Sequence, residues 1–101
     1  MVKSGVWKPS SQETQKKIGD AGLVTNLKLA SGSGAAVVAF YDGISEADVT
    51  EANLKWVLDA STTDADQDSF DKLKFNKGIY AVCEQGADTN PRVCVAVDVM
   101  V

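Results

Sequence analysis

Leu23-Val24-Thr25-Asn26-Leu27-Lys28-Leu29 is followed, after Ser31-Gly32-Ser33-Gly34, by Ala35-Ala36-Val37-Val38-Ala39-Phe40-Tyr41-Asp42-Gly43, and these two runs decide the fold class. In the first run the odd positions are Leu, Thr, Leu and Leu, with Asn26 and Lys28 between them. A period of two sends alternate side chains to opposite faces of a strand, so this run reads as a strand with one wet face. The second run is apolar at every position from 35 to 41, which predicts a strand covered on both faces and central in a sheet or an oligomer. The glycines and serines between the runs predict a tight turn, and Asp42-Gly43 closes the second run with turn chemistry. Together the runs predict a β-hairpin.

Working outward, residues 79–84 and 92–99 predict a second hairpin around a loop at 86–91 that is rich in turn formers. If the loop is centred between Asp88 and Thr89, Cys83 lies opposite Cys94. Tyr80 and Val82 then share the bulkier, core-side face with Val93, Val95 and Val97. Two cysteines in a chain with no visible secretory signal are expected to be thiols within a sheet rather than a disulfide. Residues 54–60, with Trp56, Val57 and Leu58, predict a strand, with a helix running on from residue 46 as the competitor. Residues 44–53 read as a short helical stretch or a polar loop. Residues 62–67 read as a polar loop, 68–73 as an edge strand, and 74–78 as a turn, since Asn76 and Gly78 tolerate positive φ. Residues 9–20 hold one large apolar residue, Ile18, and predict an exposed arm or long loop after a short strand near Val6-Trp7. The expected organisation is an N-terminal arm over residues 1–20 and one all-β domain over 21–101, an antiparallel β-sandwich or jelly-roll-like fold.

Composition narrows the chemistry. At 45% hydrophobic and 24% charged the chain is of the folding, globular kind. It has no histidine, which excludes Ser-His-Asp and Cys-His triads and imidazole-ligated zinc. The net charge of −4 is unevenly spread: residues 1–40 carry five lysines against Glu13 and Asp20, whereas residues 41–71 carry nine carboxylates against Lys55. An acidic chain without a basic stripe is poorly suited to the phosphate backbone, so no nucleic-acid partner is expected. The longest apolar stretch is the seven residues 35–41, whereas about twenty span a bilayer, so no membrane partner is expected either.

Three patterns invite a chemical reading. Asp64-Ala65-Asp66-Gln67-Asp68 has the opening spacing of a calcium loop, but its sixth and twelfth positions hold Ser69 and Phe75, where glycine and glutamate are required. Gly32-Ser33-Gly34 begins like a dinucleotide fingerprint, yet Val37 stands at the third glycine and a strand follows. Nothing selects two of the nine carboxylates as an acid and base pair. No catalytic residue, metal ligand or cofactor is assigned, and the chain is expected not to be an enzyme. Trp56 reads as partly buried core, and Trp7 equally as core or as an interface anchor.

The run from Leu27-Lys28-Leu29-Ala30-Ser31-Gly32-Ser33-Gly34 into Phe40-Tyr41-Asp42-Gly43 continues through Lys55-Trp56-Val57-Leu58 and Phe75-Asn76-Lys77-Gly78-Ile79-Tyr80-Ala81. With the valine-rich close at 93–97, this order resembles the small virion proteins of tailed bacteriophages. The resemblance covers residues 23–98, about three-quarters of the chain. It implies a β-sandwich component of the particle: a capsid decoration or cement protein that binds the major capsid protein as a homo-oligomer, with a trimer favoured. Such a protein is assembled in the bacterial cytoplasm and resides in the virion. The alternative is a recognition module on a head or tail fibre or at the neck. The N-terminal stretch is the segment expected to reach a neighbour, with Val6, Trp7 and Ile18 as its anchors.

Overall fold

A computed structural model describes residues 2–10, 12–30, 36–60, 65–85 and 93–100. The all-β, antiparallel class holds. Six strands form: β1 (Val2–Trp7), β2 (Gln15–Ala30), β3 (Ala36–Asp42), β4 (Leu54–Ala60), β5 (Ala65–Gln85) and β6 (Cys94–Met100). They hydrogen-bond into one sheet in the order β1-β6-β2-β5-β3-β4, and every neighbouring pair is antiparallel. Two short 3₁₀ turns, Glu46–Asp48 and Glu51–Asn53, lie between β3 and β4, where the sequence allowed a short helical stretch or a loop. Among the described residues no helix is long and apolar enough to cross a membrane.

Both expected hairpins are replaced by longer-range pairings. β2 lies between β5 and β6, and β3 pairs instead with β5 and β4. Residues 79–84 are the end of β5 and lie between β2 and β3, so Cys83 faces Val38 and Cys94 faces Ala30. Both cysteines are thiols, as expected. The changed pairing also reverses the inward set on this part of β5. Ile79, Ala81 and Cys83 enter the core, while Tyr80 directs its hydroxyl to Gln15 at 3.1 Å. On β6 and the residue before it, the odd valines 93, 95, 97 and 99 are buried as the alternation predicts. The turns at 31–34 and 86–91 and residue Asp64 lie outside the described residues.

Length explains the substitution. β2 and β5 run 16 and 21 residues and pair from Gln15↔Val82 to Ala30↔Ala65, with register shifts after Lys17, Asp20 and Val24. An unpaired extra residue bends a strand and increases its twist. The shift after Val24 also switches the inward parity. Val24 is buried and Leu23 exposed, whereas beyond the shift Leu27 and Leu29 are the fully buried pair. The sheet curls enough for strands that are not neighbours to touch: Trp56 of β4 stacks edge-on against Phe70 of β5, with ring centroids 4.9 Å apart. At the other end, a Cβ on Gly5 of β1 would sit 2.5 Å from the Ile18 carbonyl of β2. That approach is open only to glycine.

The curl encloses one core, with Trp7, Leu27, Leu29, Phe40, Leu58, Phe75 and Ile79 among its members. Two expectations for the N-terminal stretch change accordingly. Residues 2–7 form a sheet strand rather than an arm, and residues 15–20 open β2 rather than belonging to a loop. Residues 74–78, expected to turn, run on within β5. The turn-forming residues there mark a bulge: Gly78 pairs with Asp20 and Phe75 with Gly22, which leaves Asn76 and Lys77 without a partner on β2. Asp42, at the end of β3, completes this point. Its carboxylate accepts the Lys77 N–H at 2.8 Å, and the Gly43 N–H donates to the Gly78 carbonyl at 3.0 Å.

Candidate functional site

Among the described residues β1 and β4 end the sheet order, each paired with one neighbouring strand. A strand at a sheet end presents a row of backbone donors and acceptors to whatever lies beside it. Both ends also carry apolar side chains in solvent: Val2 and Val6 on β1, and Leu54, Trp56 and Val57 on β4.

At the β4 end, inward alternation reaches the core with Leu58 and Ala60 and then runs out past the edge of the cover at Trp56, and beyond a register shift at Lys55 the exposed Leu54 pairs with Tyr41. Trp56, read from the sequence as partly buried core, is 38% exposed and lies outside the core cluster. Its ring rests on Phe70 and its Nε1 donates to Asp68 at 2.8 Å. Two residues along β5, Asp66 accepts the Asp59 backbone N–H at 3.0 Å, so that N–H points away from β3 and toward the open side. Asp66 and Asp68 each commit an oxygen to β4, a use that the calcium-loop spacing did not suggest. Among the described residues no three His, Cys, Asp or Glu side chains group to hold a metal ion.

At the β1 end, Val6 is 67% exposed and Ile18 half-buried against the core. Trp7 is 3% exposed and is a core residue, which removes it from the expected set of interface anchors. Its indole N–H is satisfied by Glu13 at 2.9 Å, as a buried indole requires. Lys3 lies 3.9 Å from Asp20, and Lys17 bonds the same carboxylate at 3.0 Å. The Lys17 hydrogen bond and charge hold the Asp20 carboxyl below the ordinary carboxylate range. Ser4 donates to Asp98 at 2.5 Å. A hollow of about 150 Å³ between Lys3, Gly5, Ile18, Asp20 and Val97 is smaller than the pockets of roughly 300–1,000 Å³ that take small molecules.

Four carboxylates of the acidic segment, Asp42, Asp48, Asp66 and Asp68, accept hydrogen bonds within the fold. Burial alone would raise the Asp42 carboxyl, but the backbone N–H groups of Lys77, Asn76 and Gly78 outweigh it and hold the group below its ordinary range. Asp48 accepts the Ile44 N–H at 2.8 Å, which lowers its carboxyl, and Lys77 lies 3.5 Å away. Asn53 donates to the Asp48 carbonyl at 3.0 Å, which ties the two 3₁₀ turns together. The sequence signal for these roles was weak: Asp42-Gly43 marked a strand end, but its acceptor role needed the bulge opposite.

The arrangement offers backbone edges and apolar side chains, the equipment of a protein-binding surface. No protein-family model matches the chain, and a search of curated proteins finds no match.

Proposed function

We propose that this chain is a non-enzymatic structural protein of a tailed-phage particle, a decoration or cement protein that binds the head as a homo-oligomer, with a trimer favoured. The observation that supports the reading is the pair of open sheet ends, each with exposed apolar side chains, on a domain built otherwise around one closed core. The phage setting comes from the motif order at residues 27–43, 55–58, 73–81 and 93–97. Mechanistically, the protein bridges neighbouring subunits of the major capsid protein and adds buried area across their junctions. Val6 and the Leu54–Trp56–Val57 group supply the apolar contacts.

The test is the copy number of this chain in purified particles, relative to the major capsid protein, by quantitative mass spectrometry. A ratio near one, or a simple fraction of it, is expected for a decoration protein. A few copies per particle would replace this reading with a fibre or neck recognition module. Absence from the particle would refute both.

A further inference from the structure

We propose that copies of this chain associate head to tail through their sheet ends, with β1 of one copy adding to β4 of the next. The proposal rests on the assembly reading above and specifies its interface as a second copy of this chain.

Symmetry sets the requirement. A two-fold contact uses one patch twice, whereas a ring of three needs two different patches that fit each other. The ends of this sheet are two different patches. They also match in direction: with six antiparallel strands, β1 and β4 run in opposite senses, so a β1 placed beside β4 continues the alternation.

Charge selects the same pairing. The β1 end carries Lys3 and Lys8, with Lys16 and Lys17 on the start of β2, all exposed, against Glu13, Asp20 and the Asp98 that Ser4 bonds. The β4 end carries Asp59, preceded by Glu51 and backed by Asp66 and Asp68, against Lys55. Lysines on a sheet edge discourage pairing with a like edge, and beside an acidic edge the same lysines attract. Pairing β1 with a second β1 brings the lysine-bearing edges together. Pairing β4 antiparallel with a second β4 about Val57 matches Lys55 to Asp59 but needs the Asp59 N–H, which Asp66 already holds at 3.0 Å. Adding β1 at residues 56–58, short of the register shift at Lys55, uses the outward groups of Val57 and leaves that bond intact.

The experiment blocks each end separately in the full chain and measures mass by light scattering on a sizing column. Val57→Pro blocks β4, since the Val57 N–H has the same outward parity as that of Asp59, and an edge strand tolerates proline there. Val57→Lys is the substitute if circular dichroism shows the proline variant unfolded. Lys3→Glu with Val6→Glu blocks β1 by facing acid against acid at exposed positions. The expected results are a wild-type species of three or more chains, loss of association in each variant alone, and a 1:1 mixture of the variants that forms a dimer and nothing larger. A monomeric wild-type chain, a dimer that persists in either variant alone, or a mixture that stays monomeric would each overturn the interface. A monomeric chain still found on particles leaves the decoration reading standing, and an intact ring absent from particles removes that reading alone.

Discussion

Replacing Asp42 tests how the bent sheet is held. The bulge in β5 leaves the Asn76 and Lys77 N–H groups without partners on β2, and the Asp42 carboxylate faces them from the end of β3, 2.8 Å from the Lys77 nitrogen. A hydrogen bond to a charged acceptor contributes about 1.5–3 kcal/mol, and a stranded buried N–H costs about 1–3 kcal/mol. Asp42 is 8% exposed, but Asn76 and Lys77, whose N–H groups it accepts, are exposed, so water reaches part of the vacated site. Asp42→Ala is therefore expected to destabilise by about 2 kcal/mol, and Asp42→Asn, which keeps one acceptor, by about 1 kcal/mol. At roughly 4–8 °C per kcal/mol for a domain of this size, the alanine variant should melt about 8–16 °C lower. The pH dependence follows from the lowered carboxyl. Its contribution is fully present above the unfolded carboxyl value of about 3.9 and is lost as pH falls through the lower folded value. Urea denaturation of the wild type and of Asp42→Asn should show the widest gap at neutral pH and a narrowing gap below about pH 4. An alanine variant within about 0.5 kcal/mol of wild type, the range of ordinary surface changes, would refute the account. So would a gap that is unchanged in acid.

Three further outcomes follow from the packing. Phe75→Ala empties a fully buried site beside the bend and should cost about 3–5 kcal/mol in chemical denaturation. Gly5→Ala places a methyl group 2.5 Å from the Ile18 carbonyl, which is backbone and cannot swing aside, so a loss of about 1–3 kcal/mol is expected in thermal melts. In acrylamide quenching, the fluorescence of a Trp7→Phe variant, which reports Trp56, should quench readily, while that of Trp56→Phe, which reports buried Trp7, should be protected. Equal quenching would contradict the inward placement of Trp7.

Strand positions were legible where alternation was regular. The valines at 93, 95, 97 and 99 and the pair Leu27 and Leu29 declare an inward face because a strand repeats every two residues, whatever lies beside it. The run that becomes β3, apolar from 36 to 41, was expected to be covered on both faces, and it lies inside the sheet between β5 and β4. The failures have one source. Asn76 and Gly78 signal local backbone freedom, which serves a turn or a bulge equally well; the buried Phe75 and Ile79 on either side keep the chain in the sheet.

Of the candidate anchors, Val6 is exposed and Trp7 is buried, and alternation along so short a run could not separate the two, because the cover over Trp7 comes from residues distant in the chain. Trp56 erred in the opposite direction, since its inward parity holds while the cover ends before reaching it. Composition and alternation carry the all-β class, the inward valines and leucines and the division of charge along the chain. Tertiary structure alone decided which strands pair, which aromatics are covered, which carboxylates are spent on backbone N–H groups, and which two edges stay open. Periodicity records which side chains need cover; the partner that supplies it is chosen by contacts between residues far apart in the chain, to which a local pattern is blind.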